Sequence, residues 1–148
     1  MLDMEDAKWA KAALKEMEFF SNCSDEDLLT LIDNFEKAHY KSEATILFHG
    51  EISNRFYVVC KGSVGIWKNV AGSKQKVAEL GERKYFGEIS LITPSSATAT
   101  VKAQTDVDVL SISYENFEFA FRNNPEQLKA IQKKIEEKKQ SLSGPAKS

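Results

Sequence analysis

Apolar and polar positions change their rhythm twice along the chain. From Asp6 to about Phe20 the apolar residues Trp9, Ala13, Met17 and Phe20 recur at helical spacing, which predicts an amphipathic helix that docks by that stripe. Ser24-Asp25-Glu26-Asp27 is a capping-box pattern ahead of Leu28, Leu29, Leu31, Ile32 and Phe35, so a second helix begins there. From about Lys37 to Ser113 the period shortens to two, in β-branched and aromatic runs separated by turn residues. Strands are expected near 37–40, 45–49, 55–61, 63–69, 74–80, 85–86, 98–103 and 107–113. Lys61-Gly62-Ser63 and Val70-Ala71-Gly72-Ser73 supply hairpin turns.

Helical spacing then returns. Ser113 can cap a helix carrying Phe117, Ala120 and Phe121, and Asn123-Asn124-Pro125 stops it. Asn124 as N-cap and Pro125 in the first helical position start another. Leu128, Ile131, Ile135 and Leu142 form its stripe, while Lys133, Lys134, Lys138 and Lys139 crowd its C-terminal end, where cations favour the helix dipole. Glu136 and Glu137 among the lysines mark a solvated face. The stripe suits either a lid over the strands or pairing with its copy in a homodimer.

Many short strands with regular turns between flanking helices predict a mainly β fold, a double-stranded β-helix (jelly roll) of about eight strands. The expected organisation is one domain over 1–142: N-terminal helices to 36, the roll over 37–113, and C-terminal helices over 114–142. A frayed tail follows at 143–148.

Composition narrows the function classes. The 148 residues are 42% hydrophobic and 28% charged, enough for one domain with a sizeable core. A formal net charge of −2 argues against a nucleic-acid-binding surface, which needs clustered cations. Met1 to Asp6 lacks a basic, then apolar, secretory pattern, and no stretch approaches the roughly 18 apolar residues of a membrane span. A cytoplasmic protein without a membrane segment is expected. Cys23 and Cys60 have neither metal-ligand nor disulfide-framework spacing, and Cys60 is expected to be a buried free thiol. His39 and His49 have no nucleophile or carboxylate at catalytic spacing, so an enzyme and a metal site are both disfavoured.

The chemistry-bearing segment is Phe86-Gly87-Glu88-Ile89-Ser90-Leu91, followed by Ala97-Thr98-Ala99-Thr100-Val101. A strand ending at Phe86 meets a glycine that admits positive φ, then residues able to open a short helix. Unpartnered N–H groups at such a start can cradle an anion.

This segment resembles the phosphate-binding cassette of the cyclic nucleotide-binding domain family, in which Phe-Gly-Glu and two small or apolar residues precede an Arg-small-Ala-Ser/Thr run. Leu14 to Phe20 with Ser24 to Leu31, Ile46 to Glu51, Phe56 to Val64, and Leu110 to Ile112 with Phe117 look like the family's other landmarks, in order. The resemblance implies a regulatory module, not an enzyme, that binds cAMP or cGMP and signals through its C-terminal helix to a partner protein. It implies a site at Phe86, Gly87, Glu88, Ile89, Ser90, Ala97, Thr98 and Ala99. Glu88 would accept from the ribose 2′-hydroxyl, Ser90 would offer a hydroxyl to the phosphate, and Thr98 stands where members preferring guanine often carry a hydroxyl.

Two positions depart from the pattern. The family's phosphate-neutralising arginine falls on Ala97, and a turn glycine falls on Arg83. Losing two charge-assisted hydrogen bonds, each worth roughly 1.5–3 kcal/mol, weakens binding by roughly two to four orders of magnitude. Lys102 is an odd number of residues from Ala97, so a regular strand turns it to the other face; Arg83 is a second candidate replacement. The rival expectation is a ligand-free interaction scaffold on the same roll.

Overall fold

The computed structural model describes residues 2–142, and its side chains are described through residue 139. The tail expected at 143–148 and the side chain of Leu142 lie outside the described residues. Helix α1 spans Met4–Lys15 and starts at Asp3, whose carboxylate accepts the N–H of Asp6 at 2.8 Å. Helix α2 spans Asp25–Ile32, and the Ser24 hydroxyl accepts the N–H of Asp27 at 3.1 Å, as the capping pattern predicts.

The single helix expected to reach Phe20 is instead divided. After Lys15 the chain turns extended at Met17 (φ −82°, ψ 131°) and re-enters a 3-10 turn over Glu18–Phe20. Aromatic packing gives the reason. Consecutive residues of a continuous helix point about 100° apart, whereas here Phe19 and Phe20 are both buried against Phe56, with centroids at 6.0 and 6.1 Å.

Ten strands form the roll: β1 Glu36–Tyr40, β2 Thr45–Leu47, β3 Ile52–Ser53, β4 Arg55–Lys61, β5 Val64–Val70, β6 Ser73–Leu80, β7 Tyr85–Phe86, β8 Ser95–Ser96, β9 Thr100–Ala103 and β10 Val107–Ser113. They pair antiparallel in the orders β1-β10-β4-β7, β2-β9-β5-β6 and β3-β8. The strand expected from 98 begins at Thr100, the one expected over 45–49 ends at Leu47, and the two-residue ladder β3-β8 adds two strands to the eight expected; the mainly β roll with flanking helices is as expected.

Strand β4 explains where the core sits. Its alternate residues Tyr57 and Val59 face into the roll with Val101, Val107 and Val109, while Phe56 and Val58 face outward into the helices. A strand buried on both faces reads as a continuous apolar run, which is what Phe56 to Val59 is. The helical layer is completed by α3 (Tyr114–Ala120) and α4 (Pro125–Leu142). Ser113 caps α3 by accepting the Asn116 N–H at 3.1 Å, and the Asn124 side-chain oxygen accepts the Gln127 N–H at 3.3 Å at the start of α4. Cys60 is half-buried, not buried as expected: it is the last residue but one of β4, beside exposed Lys61, and packs only at the edge of the helical layer.

Candidate functional site

Strand β7 is two residues long and hangs on β4. Phe86 lies opposite Tyr57, and their rings stack at 4.7 Å with 9° between planes. Gly87 then takes a left-handed conformation (φ 80°, ψ 19°) that turns the chain into a 3-10 helix over Glu88–Leu91. A Cβ at Gly87 would stand 2.7 Å from the Arg55 carbonyl oxygen, so both backbone angle and space require glycine. The N–H groups of Glu88 and Ile89 open this helix and have no intrahelical acceptor. Ser90 is buried, and its hydroxyl donates to the carbonyl oxygen of Ser53 at 3.1 Å.

The second arm of the cassette is stapled to the segment before β4. Ala97 donates its N–H to Glu51 and accepts from Gly50, each at 2.8 Å. The β3-β8 ladder pairs Ile52 with Ser96 and Ser53 with Ser95 immediately before it. Ala97 is half-buried on the roll interior, Thr98 is exposed and Ala99 is buried.

The two arms face one cavity of about 370 Å³, within the range of small-molecule sites. All eight expected positions, Phe86, Gly87, Glu88, Ile89, Ser90, Ala97, Thr98 and Ala99, line it. Leu47, Ile66 and Val101 form an apolar wall suited to a ring system, and Ser53, Ser95 and Ser96 add polar groups. Lys139 of α4 lines the cavity as well, a residue that sequence reasoning assigned to a solvated face. Its signal was present: it follows Ile135 by four residues on the stripe itself.

Neither alternative cation reaches the cavity. Arg83 keeps the left-handed backbone that a turn glycine would supply (φ 72°), and its guanidinium pairs with Glu16. Lys102 lies beside Gly65 and Thr45 in the β2-β9-β5 ladder, while its neighbour Val101 faces the cavity. His39 contacts Asp108 at 2.7 Å on the exposed face of β1, remote from the cassette.

Helix α4 crosses beside the cassette. Ile131 and Ile135 are buried in the helical layer, and the Gln132 side-chain amide donates to the Leu91 carbonyl oxygen at 3.0 Å. The Lys138 ammonium bonds to the Tyr85 hydroxyl and lies 4.7 Å from that ring's centroid. Leu128, Ile131 and Ile135, the part of the stripe within the described side chains, are therefore packed against the chain's own helical layer.

The family model for the cyclic nucleotide-binding domain matches residues 37–124. A cGMP-dependent protein kinase of Eimeria tenella is 33% identical over 107 residues, which cover 72% of this chain and 10% of the kinase. One of Plasmodium berghei is 34% identical over 91 residues, covering 62% and 10%. The chain thus spans about a tenth of the length of these curated relatives. Among solved structures, the N-terminal domain of a transcriptional regulator from Streptomyces coelicolor A3(2) superposes with a TM-score of 0.79 at 23% identity, covering 88% of this chain and 92% of that one. The regulatory domain of Toxoplasma gondii PKA with cAMP gives 0.75 at 20%, covering 81% and 46%. At such identities the structural likeness establishes the fold. The family match extends over more than half the chain and includes both arms of the cassette, so the chain belongs to the cyclic nucleotide-binding domain family.

Proposed function

We propose that this domain is a non-catalytic sensor that takes a cyclic nucleotide, cAMP or cGMP, between the two arms of the cassette and reports its presence through α4 to a partner protein. The observation that carries this reading is the direct packing of α4 on the cassette, through the Gln132 bond to Leu91 and the buried Ile131 and Ile135. A ligand that prefers one position of α4 shifts the equilibrium by its difference in affinity for the two positions. In this reading Glu88, which lines the cavity, accepts from sugar hydroxyls, the N–H groups of Glu88 and Ile89 meet phosphate oxygens, and the apolar wall takes the base.

A second reading, a ligand-free interaction scaffold, is favoured by Ala97, which puts no guanidinium in the cassette. Calorimetric titration with cAMP, cGMP, adenosine and guanosine separates the two. Saturable cyclic-nucleotide binding that Glu88→Ala weakens supports the sensor. No heat with any of the four compounds rejects it in favour of the scaffold.

A further inference from the structure

We propose that Lys139 is the counter-ion for the ligand's phosphate, supplied by the lid helix in place of the arginine that Ala97 displaces. This deepens the cyclic-nucleotide reading and rests on it. Among the described residues, the cavity lining includes two charged side chains, Glu88 and Lys139. Neither takes part in an ion pair among those residues. A monoanionic phosphate entering beside Glu88 would otherwise put two negative charges in one half-enclosed space, opposed only by backbone dipoles.

The placement of Lys139 follows from its neighbours. Ile131 and Ile135 anchor one face of α4, and the Gln132 bond to Leu91 fixes how far along the cassette the helix sits. Lys139, four residues after Ile135, continues that face to the cavity. Lys138 is occupied with Tyr85, and Arg83 with Glu16. Ala97 contributes only a methyl group to its wall, which leaves the phosphate open to a long side chain arriving from α4.

Moving the cation from the cassette to the helix changes what binding does. An arginine fixed in the cassette meets the phosphate whether the helix is open or closed. A lysine on α4 meets it only when the helix is closed, so its contribution falls entirely on the difference between the two states. That difference is the quantity that shifts a conformational equilibrium. The phosphate then holds α4 down, whereas an uncharged nucleoside occupies the same cavity without doing so.

The test is calorimetry on the full chain and on Lys139→Gln, with cAMP, cGMP, adenosine and guanosine as probes. Lys139 is exposed, so the variant keeps its fold, which circular dichroism checks. Cyclic-nucleotide affinity is expected to fall by about tenfold or more in Lys139→Gln, with nucleoside affinity unchanged. Lys139→Arg retains cyclic-nucleotide affinity. Equal cyclic-nucleotide affinity in wild type and Lys139→Gln overturns the role of Lys139 while leaving the sensor reading intact. Absence of binding by the wild type overturns both.

Discussion

The hydroxyl of Ser90 donates to the main-chain oxygen of Ser53 at 3.1 Å in a buried position, tying the turn after Gly87 to the strand pair that holds the second arm. A serine that the family pattern offers to the phosphate is therefore already engaged in joining the two halves of the cassette. Ser90→Ala would leave the Ser53 carbonyl without this donor. A loss of about 1–3 kcal/mol is expected in urea denaturation, together with weaker cyclic-nucleotide binding as the arms part. Unchanged stability would show that Ser53 has another donor.

Gly87→Ala tests the turn itself. The left-handed backbone costs an L-residue roughly 1–2 kcal/mol, and the new Cβ would also press on the Arg55 carbonyl oxygen. A destabilisation of about 2 kcal/mol or more is expected in thermal and urea unfolding. A variant as stable as the wild type would mean that β7 can shift away from β4 at little cost.

How much of this was legible in the sequence depends on how far apart in the chain the cooperating residues lie. The cassette consists of two short runs, so the family pattern names eight candidate positions from the sequence alone, and the structure gathers them around one cavity. Ser24, Ser113 and Asn124 cap their helices through partners three residues away, which makes them equally readable. The β3-β8 ladder escaped because two residues are too few to show a period of two. The break after Lys15 escaped because it is imposed by Phe56, far along the chain, which both Phe19 and Phe20 contact. Lys139 escaped for a related reason: a lysine on an apolar stripe is seen to line the cavity only once the docking of α4 is known.

Ile135→Ala probes that docking. Ile135 is 1% exposed, and removing its side chain from a packed layer costs about 2–5 kcal/mol if the site cannot collapse. Because α4 docks on the helical layer through Ile131, Ile135 and the Gln132 bond to Leu91, part of this cost should appear as local detachment of the helix. Hydrogen exchange is expected to accelerate in 125–142 before it does in β4 and β10. Uniform acceleration across all these elements would place α4 within the global unfolding unit instead.

Cys23 gives stability a pH dependence of known sign. Burial raises its thiol pKa, and the bond accepted from the Gln127 amide at 3.2 Å only partly opposes this. The unfolded thiol then loses its proton at a lower pH than the folded one. The contribution to stability is complete below the ordinary thiol value of about 8.5 and declines as pH rises toward the raised folded value. Cys60, raised in the same direction by burial, acts with the same sign. Urea midpoints are expected to fall between pH 7.5 and 10, and to fall less in Cys23→Ala. The same slope in both proteins would show that Cys23 ionises as freely in the folded state as in the unfolded one.

Ala97→Arg asks whether the cassette still has the geometry for which the family uses an arginine. Both backbone groups of residue 97 are held, by Gly50 and by Glu51, and the methyl group of Ala97 lines the cavity. A longer side chain would extend into the cavity from a fixed backbone, where a guanidinium can make two parallel bonds to phosphate oxygens. Cyclic-nucleotide affinity is expected to rise by roughly 10- to 100-fold, with little change for nucleosides. In the Lys139→Gln background the same substitution should restore phosphate binding while weakening its dependence on α4, because the cation would again reside in the cassette. That distinction can be read directly: α4 should be protected from hydrogen exchange by cAMP in the wild type, and less so in Ala97→Arg/Lys139→Gln at equal saturation. Equal protection in the two proteins would mean that α4 closes on the base or sugar and not on the phosphate charge.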